Sequence, residues 1–110
     1  MPHIRVRGLP FEDLESISDT LVETLADLTD TPNFHFTLEY QSSLYLAVGG
    51  ASPAYPFIEI LWFDRGPEVK AKVAQAIDDL VRPLIEAGQD ITTLFQDLKG
   101  SDYFENGEHF

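Results

Sequence analysis

The sequence predicts an α+β fold of duplicated β-α-β units, with a four-stranded mixed sheet, two helices on one of its faces, and extra short strands at a subunit boundary. Three observations lead there. Short stretches near residues 3–7 and 34–40 alternate apolar and polar side chains with period two, and residues 55–63 form a strongly strand-like run. Two longer stretches repeat apolar residues at spacings of three and four. The same punctuation, Arg7-Gly8-Leu9-Pro10 and Arg65-Gly66-Pro67, separates strand from helix in each half.

From His3 to Arg7, Ile4 and Val6 point to one side while His3, Arg5 and Arg7 point to the other, the pattern of a half-buried strand. Gly8 breaks it, and Pro10 suits the first turn of a helix, where its missing N–H costs nothing. Leu14, Ile17, Leu21, Leu25 and Leu28 then form one apolar stripe, with Glu12, Asp13, Glu15, Asp19, Glu23 and Asp27 mostly off it. Thr29-Asp30-Thr31-Pro32-Asn33 ends this helix. The alternation of Phe34, Phe36, Leu38 and Tyr40 against His35, Thr37 and Glu39 predicts a returning strand. After Gln41-Ser42-Ser43, an apolar strand is expected from Leu44 to Val48 as an edge or intersubunit element, closed by the loop Gly49 to Pro53.

Tyr55 to Phe63 is rich in aromatic and branched residues with Glu59 as its single charge, which predicts a strand buried on both faces. Val69, Val73, Ile77, Leu80, Leu84 and Ile85 mark the second helix, and Pro83 should kink or restart it near Arg82. Gly88 suits a C-terminal cap. Ile91 to Leu98 reads as a last core strand, and Lys99 to Phe110 as a hairpin turning at Asn106-Gly107. Right-handed crossovers put both helices on one face. The other face then carries His3, Arg5, Arg7, His35, Thr37, Glu39 and Glu59, too mixed for an interior, while Phe57 and Phe63 are too aromatic for free water. A closed cyclic oligomer is the economical cover.

With 110 residues the chain fits a single domain, 1–110, of modest core. No apolar run approaches the ~18 residues needed to span a bilayer, and no leader pattern is present, so a cytoplasmic protein with no membrane partner is expected. Zero cysteines remove disulfides and thiolate chemistry. His3, His35 and His109 have no metal-ligand spacing, so no metal site is expected. A net charge of -12 repels a phosphate backbone and excludes nucleic acid as a partner.

Chemistry concentrates at the start. Met1 precedes Pro2, a residue small enough to let methionine aminopeptidase expose it, which would leave a secondary amine at the chain's start. An ordinary α-amino group titrates near ~7.7 to 8.0, and burial disfavours its charged form, so a buried terminal proline can be neutral and accept a proton. Abstraction of a proton beside a carbonyl is the natural reaction for such a base. The alternative is N-terminal processing with no catalytic consequence.

The Met1-Pro2 start, Thr31-Pro32 before the second strand, Ala47-Val48-Gly49-Gly50-Ala51-Ser52 and Asn106-Gly107, in this order, resemble the tautomerase superfamily in its macrophage migration inhibitory factor-like branch. The stretches Met1 to Arg7, Glu59-Ile60-Leu61-Trp62-Phe63-Asp64-Arg65 and Gly107 to Phe110 resemble a bacterial branch of it, a domain family without an assigned function. The resemblance covers nearly the whole chain. It implies a homotrimer with sheets facing inward, sites at subunit boundaries around an N-terminal proline, and cofactor-free keto–enol proton transfer on 2-oxo acids or related additions and dehalogenations. Pro2 takes the base's position and Phe63 that of an apolar pocket wall. Thr31 stands where related chains place a lysine, and Thr92 and Leu94 replace aromatic and amide pocket groups, so recognition of substrate must differ or be absent.

Only seven side chains are Lys or Arg, and Arg5, Arg7 and Arg65 cluster on or beside the two leading strands, which invites an anion. One of them could hold a substrate carboxylate and stabilise an enolate; the competing reading pairs Arg5 and Arg7 with Glu39 or Glu59. Arg65, at a strand end, is the expected carboxylate partner. His3 either tunes the base or is a hydrogen-bonded structural histidine. Trp62 and Tyr103 are assigned to packing. The first functional reading is a cytoplasmic tautomerase-type homotrimer using Pro2 on a small 2-oxo or enol acid, with Arg65, Phe63, Arg5 and His3 as binding residues. The second is a non-catalytic trimeric binding or structural protein on the same scaffold. A ferredoxin-like regulatory dimer is the third.

Overall fold

A computed structural model describes residues 1–110, and in it the alternation of the first strand decides the layering. β1 (His3–Arg7) buries Ile4 and Val6 completely and leaves His3, Arg5 and Arg7 half-buried on the opposite face. It is followed by α1 (Phe11–Thr29), β2 (Thr37–Gln41), the two-residue strands β3 (Leu46–Ala47) and β4 (Gly50–Ala51), β5 (Phe57–Trp62), α2 (Pro67–Val81) and β6 (Thr92–Asp97), then β7 (Phe104–Glu105) and β8 (Glu108–His109). The main sheet has the order β2-β1-β5-β6. β1 is parallel to β2 and antiparallel to β5, which is parallel to β6, so two β-α-β units meet at the β1–β5 pair.

Leu14, Leu21 and Leu25 of α1 and Val73, Ile77 and Val81 of α2 pack with Ile4, Val6, Ile58, Ile60 and Trp62 in one core cluster. Each fully buried large apolar side chain contributes about 1.5–3 kcal/mol relative to exposure. α1 starts after Pro10 and ends where Asp30 turns left-handed, with the Thr31 N–H donating to the Ala26 carbonyl. Gly66, whose N–H is held by Asp64 Oδ1 at 2.9 Å, turns the chain into Pro67 at the first position of α2. Pro83 lacks the N–H that would continue α2, and residues Arg82–Leu84 tighten into a 3-10 turn. The indole N–H of Trp62 donates to Asp97 at 2.9 Å, and Asp97 pairs with Lys70 at 2.7 Å, so the largest core side chain has its polar atom satisfied.

Three local expectations shift. The strand expected at 34–40 begins at Thr37, because Asn33–His35 after Pro32 form a 3-10 turn. The strand expected at 44–48 shortens to Leu46–Ala47, which folds back through Val48-Gly49 onto Gly50–Ala51 and leaves Leu44, Leu46 and Val48 exposed. β5 alternates between buried and half-buried residues because helices cover only one of its faces. The tail does form a hairpin, with Asn106 (φ 53°) and Gly107 (φ 85°) in the left-handed region at its turn. No helix is long and apolar enough to cross a membrane.

Gly8 (φ +87°) carries the sharp exit from β1, and a Cβ there would lie 1.9 Å from the Tyr55 carbonyl oxygen. Gly66 has φ +92° with nothing near it. Gly66→Ala should cost only backbone strain, about 1–3 kcal/mol, and Gly8→Ala clearly more. Urea unfolding followed by circular dichroism measures both, and equal costs would contradict the close approach at Gly8.

Candidate functional site

Pro2 has the same strand parity as Ile4 and Val6 and is likewise fully buried. Its carbonyl accepts the Thr37 N–H at 3.2 Å, extending the β1–β2 ladder by one step. The residue attached to its nitrogen, Met1, lines a cleft of about 330 Å³ together with Phe34, His35, Thr37, Tyr103, Glu105 and Phe110. The Met1 ammonium donates to the His35 carbonyl at 3.2 Å. Three segments far apart in sequence thus meet at the start of β1: the 3-10 turn before β2, the first residues of the chain, and the C-terminal tail.

An aromatic cluster forms one wall. Phe63 stacks on Phe110 with centroids 4.9 Å apart, and Tyr103 meets both rings edge-on at 5.5 Å. The Phe110 N–H donates to the Tyr103 carbonyl, and Gly100 passes so close that a Cβ would sit 2.9 Å from the Phe110 carbonyl oxygen, fixing the tail against the wall. The Tyr103 hydroxyl donates to Glu105 Oε1 at 2.8 Å. That bond to a carboxylate, helped by desolvation and the negative charge, raises the phenol above its usual range. Glu105 is the one ionisable carboxylate among the side chains lining the cleft, and no Lys or Arg lines it.

The sequence-predicted residues divide. Pro2 and Phe63 adjoin the cleft, the first through Met1 and the second through Phe110 and Tyr103. Arg65 lies behind Phe63: it donates to the Phe63 carbonyl at 2.9 Å and the Thr31 hydroxyl at 3.2 Å, with its guanidinium 5.4 Å from the Trp62 ring centre. Arg5 is on the open sheet face, its Nε 3.7 Å from Glu39, and Arg7 is bound to Glu59 at 2.6 Å over the ring of Phe57. His3 bridges the Thr37 hydroxyl and Glu39, at 2.5 and 2.8 Å, which ties the open face to a cleft residue. Phe34, Glu105 and Phe110 are lining residues that sequence reasoning did not single out, and Tyr103 lines the cleft in addition to packing. The only signal for Glu105 and Phe110 was the aromatic density of the tail, Tyr103, Phe104 and Phe110, and Phe34 stood only in the alternating pattern before Tyr40.

A larger hollow of about 460 Å³ lies between Gly8–Pro10, Pro53–Ala54 and Leu84–Glu86. Its ionisable groups are the carboxylates of Asp13 and Glu86, and it has no group comparable to the Pro2 nitrogen, so chemistry favours the smaller cleft. No three His, Asp or Glu side chains stand close enough together to hold a metal ion.

The fold is that of the tautomerase/macrophage migration inhibitory factor superfamily. The chain superposes on a macrophage migration inhibitory factor-like protein from Entamoeba histolytica with a TM-score of 0.77 at 17% identity, covering 99% of this chain and 98% of that one. It superposes on a fused 4-OT wild-type asymmetric trimer with a TM-score of 0.80 at 16% identity, covering 97% and 94%. Identities this low show the fold alone. Within that fold, the chain belongs to the family described as a domain of unknown function, DUF1904, whose model matches residues 1–109. It is similar to a DUF1904 structure from Sebaldella termitidis ATCC 33386, at 33% identity over 100% of both chains with a TM-score of 0.93. A protein of unknown function from Vibrio cholerae O1 biovar eltor str. N16961 is 35% identical over 99% of this chain and 87% of that one, with a TM-score of 0.88. No curated protein matches the chain.

Glu39 is held below its ordinary 4.5, first by the hydrogen bond from His3 and then by the Gln41 amide. A carboxyl whose folded value is depressed contributes stability above its unfolded value and loses it as pH falls through the folded one. Titrating Glu39 by NMR should give a midpoint below 4.5 that returns toward it in His3→Ala. Wild type should also lose more stability than Glu39→Gln below about pH 4. An unmoved midpoint would show that His3 is not the cause.

Proposed function

We propose that this chain is one tautomerase-like domain that assembles as a cofactor-free homotrimer and transfers protons between keto and enol forms of a small 2-oxo or enol acid, with Pro2 as general base. The observation that carries this reading is the placement of Pro2: a fully buried ring whose nitrogen substituent, Met1, lines an aromatic-walled cleft. Removal of Met1 opens the space it fills and leaves the Pro2 nitrogen as a secondary amine at its floor. Apolar surroundings disfavour the ammonium form and lower the pKa toward the working pH. Phe63, stacked on Phe110, gives the cleft an apolar wall on one side.

For the acid group of the substrate, Arg65 is the proposed partner. Its two hydrogen bonds go to neutral acceptors, a carbonyl and a hydroxyl. A carboxylate forms stronger, charge-assisted bonds and would displace them. Arg5 and Arg7 already face carboxylates, which suits them to holding the sheet's register rather than a ligand. Assembly is supported by the sheet face away from the helices, where Phe57, Leu61 and Leu94 stand among the ion pairs, and by exposed Leu44, Leu46 and Val48. A second reading, a binding scaffold without turnover, is favoured by one observation: Met1 itself is bound into the cleft through the His35 carbonyl, and a chain that keeps it has an amide at Pro2.

With Met1 removed, Pro2→Ala should lower enolisation of 2-oxo acids by about 100-fold or more while sedimentation still gives the mass of a trimer. Activity that survives the substitution would contradict the mechanism.

A further inference from the structure

The cleft holds two features that the proposed reaction leaves unused, the Glu105 carboxylate and the open rings beside it. Phe34 and Phe110 are largely exposed and both line the cleft, with Tyr103 edge-on to Phe110 and its hydroxyl on Glu105. A carboxylate amid aromatic faces is poor chemistry for receiving an anion and good chemistry for receiving a cation, which gains both from the charge and from the ring quadrupoles. The chain as a whole reinforces this bias with a net charge of -12. A second copy docked at the cleft would bring the same seven Lys and Arg residues. Of these, Arg5, Arg7, Lys70 and Arg82 are already paired with carboxylates. Glu105 therefore meets little competition from the protein's own cations.

From the juxtaposition of Glu105 with Phe34, Tyr103 and Phe110 in the Pro2 cleft, we infer that the ligand is zwitterionic: an acid that also carries an ammonium or similar cationic group. The cationic end lies on Glu105 and the aromatic rings, and the carboxylate end lies toward Arg65 behind Phe63. This inference names the substrate class of the proposed tautomerase site and rests on that reading for the assignment of the acid end.

The test uses two non-reacting probes of one shape, para-trimethylammoniobenzoate and para-tert-butylbenzoate, which differ only in the positive charge. Titration calorimetry on the processed protein at physiological ionic strength should show the ammonium probe binding about tenfold more tightly or better, the size expected of a cation–π contact joined to one charge pair. Glu105→Gln should cut that ratio to about threefold or less, whereas Glu86→Gln, a change of equal charge in the hollow beside Gly8–Pro10 past the far end of β1, should leave it intact, because a five-residue strand at about 3.3 Å per residue exceeds the ~8 Å screening length. Equal binding of the two probes, binding of neither, or an equal collapse of the ratio in both variants would overturn the inference. Because these probes are not turned over, the outcome is independent of Pro2. A tautomerase that needs Pro2 yet ignores the probe's charge defeats only this inference, and a charge-selective cleft whose activity survives Pro2→Ala defeats only the proposed mechanism.

Discussion

The register of β1 is the constraint on which the rest depends. Paired on both sides, with Ile4 opposite Leu38 and Ile60 and Val6 opposite Tyr40 and Ile58, the strand cannot slip by one residue without turning Ile4 and Val6 out of the core. The same parity commits Pro2 to the helix-covered side and His3, Arg5 and Arg7 to the other. The depth of Pro2 is therefore not a local accident. It follows from the pairing of a five-residue strand whose apolar members leave no alternative.

That arrangement also explains how a chain so rich in acid uses its few cations. On the open face, Arg7 reaches diagonally to Glu59 of β5, which stands opposite Arg5, and His3 and Arg5 share Glu39 on the other neighbour. These pairs span β2, β1 and β5, so they resist register slips as the buried face does. Near the end of β5, Lys70 secures Asp97, and Asp97 in turn holds the indole of Trp62, next to Phe63 at the aromatic wall. Exposed ion pairs of this kind contribute little stability individually. Their value lies in orientation: His3–Glu39 fixes the start of β1 beside the cleft residue Thr37, and Arg7–Glu59 ties β1 to β5 toward the strand's other end.

Much of this was legible in the sequence, for physical reasons. Period-two alternation exposed β1, and helical stripes exposed α1 and α2, because each element buries one face. Gly66-Pro67, Pro83 and Asn106-Gly107 marked boundaries through backbone chemistry that depends on no tertiary context. Expectations shifted where context decides. Phe34 and His35 continue an alternating pattern, yet Pro32 sets up a tight turn that delays the strand to Thr37. Leu44 to Val48 is apolar without a core to enter, since neither edge of the main sheet pairs with it. The cleft was the least legible part. Phe34, Tyr103, Glu105 and Phe110 come from segments about seventy residues apart, joined only by the fold, and no spacing rule links them. Arg65 was found from charge scarcity, but its place behind Phe63 depends on the turn into α2.

The central claim is that Pro2 presents a free, desolvated amine to this cleft. Intact mass of the protein purified from its native cell, before and after treatment with a halogenated 2-oxo acid across a pH series, tests it most directly. The account predicts a chain lacking Met1 that takes up a single adduct at Pro2, with labelling half-complete below the ordinary ~7.7 of an α-amino group. A chain that retains Met1, or one labelled without preference for Pro2, would contradict it.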